Sequence, residues 1–435
     1  LTVNTAFSDA GSDVDAPGTS PRSRPKIGLV LGGGGARGLA HIGVLRVLED
    51  NRVPIDYITG TSMGALVGGL YASGMSVEEI EEVVKGIDWD AAFTDSAPRE
   101  EKSYRRKQDD NLALIRGRIG VSREGLQLAP GIVKGQQILL LLERFTKPVA
   151  DVRDFDKLPI PFRAVASDIN TGQAVVLGKG ELALAMRASM SLPGIFSPVT
   201  VDDLILVDGG IANNLPVDVV REMGANLVIA VDVSTALKEL TDRASLLAVV
   251  EQLSTIMVQN TTLAQRAKLT QSDILITPEL GTKVRSTDFN KAAEAYDLGL
   301  LAMDEHRDRL VGLSLPVDDW DLHLARRAAR EPSEPIIRFV RLNNESHYRD
   351  DVLETRIEIS TGQTLDLAQV EESIARINRL DVFERVNWEL VEENGDTGVV
   401  INAIEDRRGP IYLELGLTIS GDFDGDNYLN LRAAL

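Results

Sequence analysis

The sequence predicts a three-layer α/β/α domain on a mainly parallel sheet, followed by a small α+β module and the start of a β-barrel. Three observations carry that prediction. Short apolar runs alternate with helical segments from Lys26 onward, the pattern changes after a Pro-bearing stretch near residue 331, and strict apolar–polar alternation follows Pro410. The 435 residues are 43% hydrophobic and 26% charged, enough for about two or three folded domains. A formal net charge of −20 argues against a nucleic-acid partner, which would need a cationic face. The lack of cysteine excludes disulfides, thiolate zinc sites and a cysteine nucleophile. No apolar run approaches the ~18 residues of a membrane-spanning helix; the densest cluster is Ile138-Leu139-Leu140-Leu141-Leu142. The sequence opens on Leu1 rather than Met, which leaves room for a cleaved signal peptide ahead of it.

Residues 1–25, rich in Ser, Asp, Gly, Thr and Pro, read as a flexible leader, and the first domain as 26–330. Ile27–Leu31 suits a buried parallel strand and runs into Gly32-Gly33-Gly34-Gly35. Leu39, Ile42, Leu45 and Leu48 then mark one stripe of a helix ending near Asp50. Val53 to Thr59 reads as a second strand, Ala65-Leu66-Val67 opens a second helix, and Ser76-Val77-Glu78-Glu79 is a capping box that starts another. Runs at Phe162–Val165, Leu204–Val207, Leu227–Val231 and Ile274–Ile276 continue the alternation, which calls for helices on both faces of the sheet. Between Trp89 and Asp151 two readings stand. Lys102, Arg105, Arg106 and Lys107 with Ile138–Leu142 make either a lid or interfacial patch for anionic lipid, or a solvated loop before an ordinary packed helix.

Residues 331–335 read as a linker. The acidic module at 336–407 has a strand at Ile336–Val340, a short helix at Asp351–Ile357 and a helix from Asp366 with Val370, Ile374, Ile377 and Leu380 on one face. A hairpin follows, turning at Asn394-Gly395. Over 408–435, Ile411, Leu413, Leu415, Leu417 and Ile419, then Leu429, Leu431, Ala433 and Leu435, alternate with other residues. That matches outer-membrane barrel strands, with an amphipathic hairpin on a soluble core as the alternative. The sequence ends in mid-strand, as a truncated protein would. Asp422, Asp424 and Asp426 begin like a calcium loop, but Asn427 and Ala433 replace the required glycine and last acid, so no metal is expected.

Gly60-Thr61-Ser62-Met63-Gly64 fits G-x-S-x-G at a strand-to-helix junction, a turn that lifts the serine hydroxyl above the sheet and over a helix N-terminus. Gly33-Gly34-Gly35-Ala36-Arg37-Gly38 lines up backbone N–H groups that can hold a tetrahedral oxyanion. Gly33, Gly35 and Gly38 also satisfy the dinucleotide fingerprint, but Asp56, near the spacing of its ribose acid, lies inside the predicted strand. Leu39 in place of a lysine excludes a phosphate P-loop. Arg37 reads most simply as a brace for the loop, with a direct role in anion binding left open. Asp208-Gly209-Gly210 ends the strand Leu204–Val207, where a carboxylate can reach the serine loop; a turn-forming Asp-Gly is the alternative. Among His41, His306, His323 and His347, only His306 has the order of a triad histidine, and its charged neighbours suggest a solvated helix face.

Together these motifs resemble the patatin-like phospholipase family over roughly Lys26 to Leu313. Ala188-Ser189-Met190-Ser191-Leu192-Pro193-Gly194-Ile195-Phe196 is similar to the stretch before that family's acid, while Gly32 stands where plant patatins tend to carry Asp. The resemblance implies a Ser62–Asp208 dyad without histidine, an oxyanion hole of Gly33, Gly34, Gly35 and Arg37, and supporting roles for Gly38, Gly60, Gly64, Gly209 and Gly210. It implies no cofactor, an acyl-enzyme intermediate, and action as a lipid acyl hydrolase of phospholipase A1/A2 or lysophospholipase type. A general carboxylesterase or thioesterase is the nearest alternative, and an assembly or transport scaffold with an inactive first domain a more distant one. The module at 336–407 resembles a POTRA domain, and the whole order resembles a patatin–POTRA–barrel autotransporter of type Vd. That implies a Gram-negative outer membrane, a surface-exposed or secreted catalytic domain and a periplasmic POTRA. The implied partners are a phospholipid or membrane surface and the outer-membrane assembly machinery, with homo-oligomerisation left open.

Overall fold

The computed structural model describes residues 24–93, 115–122, 125–127, 131–237, 239, 246–328, 335–380, 382–406, 411–421 and 427–434, with backbone alone at 115–127 and beyond 407. The leader up to residue 23, the basic cluster at 102–107, most of the linker and the Asp422–Asp426 turn lie outside the described residues.

Eight strands form the main sheet. Its order is Ile274–Ile276, Leu227–Val231, Ile27–Leu31, Tyr57–Thr61, Phe162–Asp168, Leu204–Asp208 and Val199–Val201, with Ala174–Leu177 also on Phe162–Asp168. The first five are mutually parallel. Side-chain alternation divides the core between the two faces, as a strand's period of two requires. Ile27, Leu29 and Leu31 join the large cluster under helices Ala40–Asp50 and Met63–Ala72, while Val30, Val228 and Ala230 join a smaller one with Val217 and Val220. Burying strands on both faces is what made them read as continuous apolar runs.

The second strand begins at Tyr57 rather than Val53. Pro54 has no N–H to give a central ladder, and Asp56 uses its carboxylate to accept the Ile27 amide at 2.8 Å and to pair with Arg24 and Lys26. Those bonds occupy the acid that the dinucleotide reading required. The Ser76–Glu79 capping box forms in full, and Val77–Gly86 follows it.

Leu204–Asp208 is antiparallel to Phe162–Asp168, not parallel as the alternating pattern suggests. An antiparallel strand would ordinarily carry its C-terminus to the far edge of the sheet. This one enters from beyond the C-terminal edge and pairs only Leu206 with Asp168, Val207 with Ser167 and Asp208 with Ala166. Its last residue therefore stays at the edge where the parallel strands end.

The second module has its own core, with Ile337, Val370, Ile374, Phe383, Val386, Trp388 and Ile401 fully or nearly buried. Ile337–Glu345 runs parallel to Asp396–Glu405, which pairs antiparallel with Phe383–Glu393 across the Asn394-Gly395 turn. Helix Leu367–Asn378, capped by Asp366, covers this sheet. Gln136–Thr146 of the first domain docks on the exposed edge of Phe383–Glu393. The Gln136 amide accepts the Val386 N–H at 3.0 Å and donates to its carbonyl at 2.5 Å, as a neighbouring strand would. Ile138, Leu139 and Leu142 are buried, and Leu140 packs against the second core, so this segment is a packed helix and not an interfacial patch.

Ile411–Gly421 and Asn427–Ala434 form the expected hairpin. The other edge of Ile411–Gly421 pairs antiparallel with Ile115–Ser122 of the first domain, a partner that alternation alone cannot name. Among the described residues no helix is long and apolar enough to cross a membrane. Gln136→Ala removes both bonds to Val386 and is expected to cost about 1–3 kcal/mol. The urea midpoint should fall, and amide exchange should quicken selectively in 383–393.

Candidate active site

Strand Tyr57–Thr61 turns into helix Met63–Ala72 through one residue, Ser62, at φ 54° and ψ −123°. A side-chain-bearing residue at such angles stores about 1–3 kcal/mol of strain and persists only where its surroundings over-determine it. Here three contacts do so. A Cβ at Gly60 would fall 2.3 Å from the Gly64 carbonyl oxygen, and one at Gly64 would fall 2.0 Å from that of Leu31. Neither position tolerates a larger residue without moving backbone. The Ser62 amide donates to buried Ser189 Oγ at 2.9 Å, and that hydroxyl donates to the Val165 carbonyl at 2.5 Å.

Asp208 arrives from the other side of Phe162–Asp168. Its carboxylate accepts the Gly210 amide at 2.8 Å, its own amide donates to the Ser191 carbonyl at 2.9 Å, and its carbonyl accepts Ser167 Oγ at 2.9 Å. Asp208 is only 6% exposed. Burial pushes its carboxyl up to about 6, against the pull of the Ser62 hydroxyl and the Gly210 amide toward the ionised form. The Ser62 hydroxyl is one of the two groups that favour the ionised carboxylate, which sets it beside Asp208. Gly209 passes so close to Phe162–Asp168 that a Cβ there would fall 2.1 Å from the Val165 carbonyl.

The glycine loop abuts the serine, since a Cβ on Gly33 would lie 3.1 Å from Ser62 Cβ. The expected donor set of Gly33, Gly34, Gly35 and Arg37 is narrower in the structure. The Gly33 amide is engaged by the Asn214 carbonyl at 3.3 Å, and the Arg37 amide by the Gly34 carbonyl at 3.3 Å. Gly34 and Gly35 offer amides that have no acceptor among the described residues. The Arg37 side chain is a brace. Its Nε donates to Val233 O at 2.8 Å, Nη1 to Gly281 O at 3.0 Å and Val284 O at 2.9 Å, and Nη2 to Ser234 O at 3.1 Å. A guanidinium with all three nitrogens bonded to carbonyls is not available for an oxyanion. Gly38 packs on Met63, and Gly210 beside the Asp208 carboxylate.

No histidine joins this pair. His41 is fully buried with Nε2 on the Gly32 carbonyl at 2.8 Å, and burial lowers its pKa to about 4, so it supports the loop as a neutral ring. His347 bonds Glu405 in the second module, and His323 stacks on Trp320. Among the described residues no cluster of three or more acidic, histidine or cysteine groups could hold a metal ion.

The family model described as patatin-like phospholipase matches residues 29–221, and that described as POTRA, surface antigen variable number repeat, matches 335–405. The chain carries a patatin-like phospholipase domain followed by a POTRA domain. An NTE family protein of Mycobacterium tuberculosis is 35% identical over 212 residues, covering 49% of this chain and 50% of the relative. Patatin-like phospholipase domain-containing protein 7 of Rattus norvegicus is 33% identical over 211 residues, covering 48% of this chain and 14% of its own length. The chain thus spans half or less of these relatives. Among solved structures, VipD from Legionella pneumophila aligns with 71% of this chain and 74% of its own, at 15% identity and a TM-score of 0.36. The family is one of lipid hydrolases, and the patatin domain has that family's fold.

Three residues of the patatin domain escaped the sequence reading. Ser189 and Ser167 each bond the backbone at one end of the Ser62–Asp208 pair, and Asn214 ties the glycine loop through its carbonyl and through Nδ2 to Gly33 O at 3.4 Å. Ser189 lies in the stretch similar to the family's pre-acid segment, and Asn214 follows Asp208 by a few residues. Their bonds run to backbone groups distant in sequence, which no local spacing reveals. Arg37→Met leaves four carbonyls without their donor and is expected to cost about 2–4 kcal/mol, measurable by urea unfolding.

Proposed function

We propose that this protein is a serine lipid acyl hydrolase in which Ser62 is the nucleophile and Asp208 its base. The observation that carries the reading is a serine at a strained elbow, facing a buried carboxyl, beside a glycine loop with open amides. Ser62 Oγ attacks the ester carbonyl and passes its proton to Asp208. The Gly34 and Gly35 amides stabilise the oxyanion; removing one such donor typically costs ~2.7–4 kcal/mol. Asp208 then returns the proton to the leaving alcohol, takes one from the water that attacks the acyl-enzyme carbonyl, and gives it to Ser62 Oγ as the fatty acid departs. Burial suits the acid to this work, because a carboxylate near 6 is a stronger base than a free one near 3.9.

The domain plan that fits is a catalytic domain over 26–330, a linker at 331–335, a POTRA over 336–407 and the first barrel strands from 408, all in a Gram-negative envelope. In that plan the POTRA meets the outer-membrane assembly machinery, and the catalytic domain reaches the cell surface or is released. Phospholipid, rather than a short-chain ester or thioester, is the substrate class.

Hydrolysis of a phospholipid panel, with short-chain esters alongside, tests the reading. Ser62→Ala and Asp208→Asn should each lower turnover by roughly 10³-fold or more with unchanged circular dichroism. Retained activity in either variant would falsify the dyad. The base must be ionised to accept a proton, so kcat/KM should climb about tenfold per pH unit below about 6 and level off above it. Asp208→Asn should flatten that rise.

A further inference from the structure

Helix Leu246–Arg266 has two faces of different character. One holds the active-site loops. Thr261 Oγ1 donates to the Gly210 carbonyl at 3.2 Å, Thr262 Oγ1 accepts Asn214 Nδ2 at 3.1 Å, and Gln265 Nε2 donates to Asp218 at 2.8 Å. The opposite face carries Val249, Leu253, Ile256, Met257 and Leu263, all open to solvent, with Leu253 54% and Leu263 62% exposed. Leu253 lies four residues after Val249, Ile256 and Met257 three and four after Leu253, and Leu263 seven after Ile256, which places them in one stripe that the exposed Asn260 interrupts. Exposed helix faces ordinarily carry charge, yet this helix of 21 residues has only Glu251 and Arg266. Leu192, next to the Ser191 that receives the Asp208 amide, is exposed as well. An exposed apolar stripe of this kind marks an interaction surface.

We propose that the outer face of Leu246–Arg266 docks the catalytic domain on the surface of a neutral, zwitterionic phospholipid bilayer. The proposal rests on the lipid hydrolase reading for its choice of occupant. The helix backs directly onto Gly210 and Asn214, so whatever covers its outer face lies about one helix diameter, roughly 10–12 Å, from the loops that flank Ser62. A bilayer there brings substrate to the site, whereas a protein partner would compete for the approach. Charge selects the kind of bilayer. The chain is strongly acidic and the stripe uncharged, so attraction comes from buried apolar area and not from anionic headgroups.

The test uses the full chain, vesicles of phosphatidylcholine alone or with an anionic lipid, and a soluble short-chain ester. Flotation should show binding to the zwitterionic vesicles that is unchanged between low and high salt. The double variant Leu253→Ser with Leu263→Ser should lower vesicle binding and vesicle hydrolysis roughly tenfold or more, with short-chain ester turnover unchanged. The proposal is overturned if that variant binds and hydrolyses vesicles like the wild type, or if binding needs anionic lipid and vanishes in high salt. It is also overturned if the variant instead dissociates an oligomer of the wild-type chain while vesicle binding persists. A wild-type chain that floats with vesicles but hydrolyses neither ester nor phospholipid would remove the hydrolase reading and leave the docking face standing.

Discussion

Ala166 stands between Ser62 and Asp208 in the sheet, and the separation it imposes governs the site. Thr61 pairs with Val165 on one side and Asp208 pairs with Ala166 on the other, so Ser62 and Asp208 are level with each other across one intervening strand. Two strand spacings amount to about 9–10 Å between backbones, too far for a short acid and a serine left in extended conformation. The left-handed turn at Ser62 closes part of that gap by swinging the residue out of line with its strand. The central strand also supplies the supports for both ends, through the Val165 carbonyl beneath Ser189 and the hydroxyl of Ser167 beneath Asp208. A single strand therefore sets the spacing and the strain together.

In the proposed dyad, burial does for Asp208 what a histidine does in a triad. With no cation among the groups that shift it, the carboxyl rises by desolvation, and only a hydroxyl and one amide steady its ionised form. The cation of the glycine loop, Arg37, is consumed by four carbonyls, and the imidazole of the helix that follows, His41, is held neutral under Gly32. Either one free and charged beside the carboxylate would pull its pKa back down and weaken it as a base. The same loop residues that look functional by type would thus serve the proposed reaction by keeping their charge or basicity away from Ser62 and Asp208.

Much of this was legible in the sequence because it is local. The strands at Ile27–Leu31, Leu227–Val231 and Ile274–Ile276 are apolar runs buried on both faces, and the elbow and capping box are fixed by neighbouring residues. What escaped is set by pairing across distance. Nothing in Leu204–Val207 tells whether the strand runs up or down, since direction depends on Val199–Val201 preceding it as an antiparallel partner. Gly33 looks like an oxyanion donor until the Asn214 carbonyl takes its amide. Ile138–Leu142 looks like a lipid-facing cluster until a second domain covers Leu140, while the exposed stripe on Leu246–Arg266 is diluted in sequence by the polar residues of its inner face.

The contact between the two domains is built differently from either core. It is closed by polar bonds: Gln136 on Val386, Lys134 on the Phe383 carbonyl at 2.8 Å, Asn387 on Glu181 at 3.0 Å, and ion pairs from Arg153 to Glu389 and Arg144 to Glu371. Asn387 Oδ1 and Arg385 Nη1 are buried there without a hydrogen-bond partner among the described residues, and each such group opposes docking by its desolvation. Burial also raises Glu143 well above the usual carboxylate range and pushes Glu181 up to about 7, the latter against the pull of Arg153 and Arg385. A carboxyl whose pKa is raised by folding stabilises the folded state fully below its ordinary value near 4.5, and that contribution is lost as pH rises toward 7. Glu143 and Glu181 therefore favour the folded state most in mild acid, opposite in sign to the ion pairs of the same contact, which require ionised carboxylates.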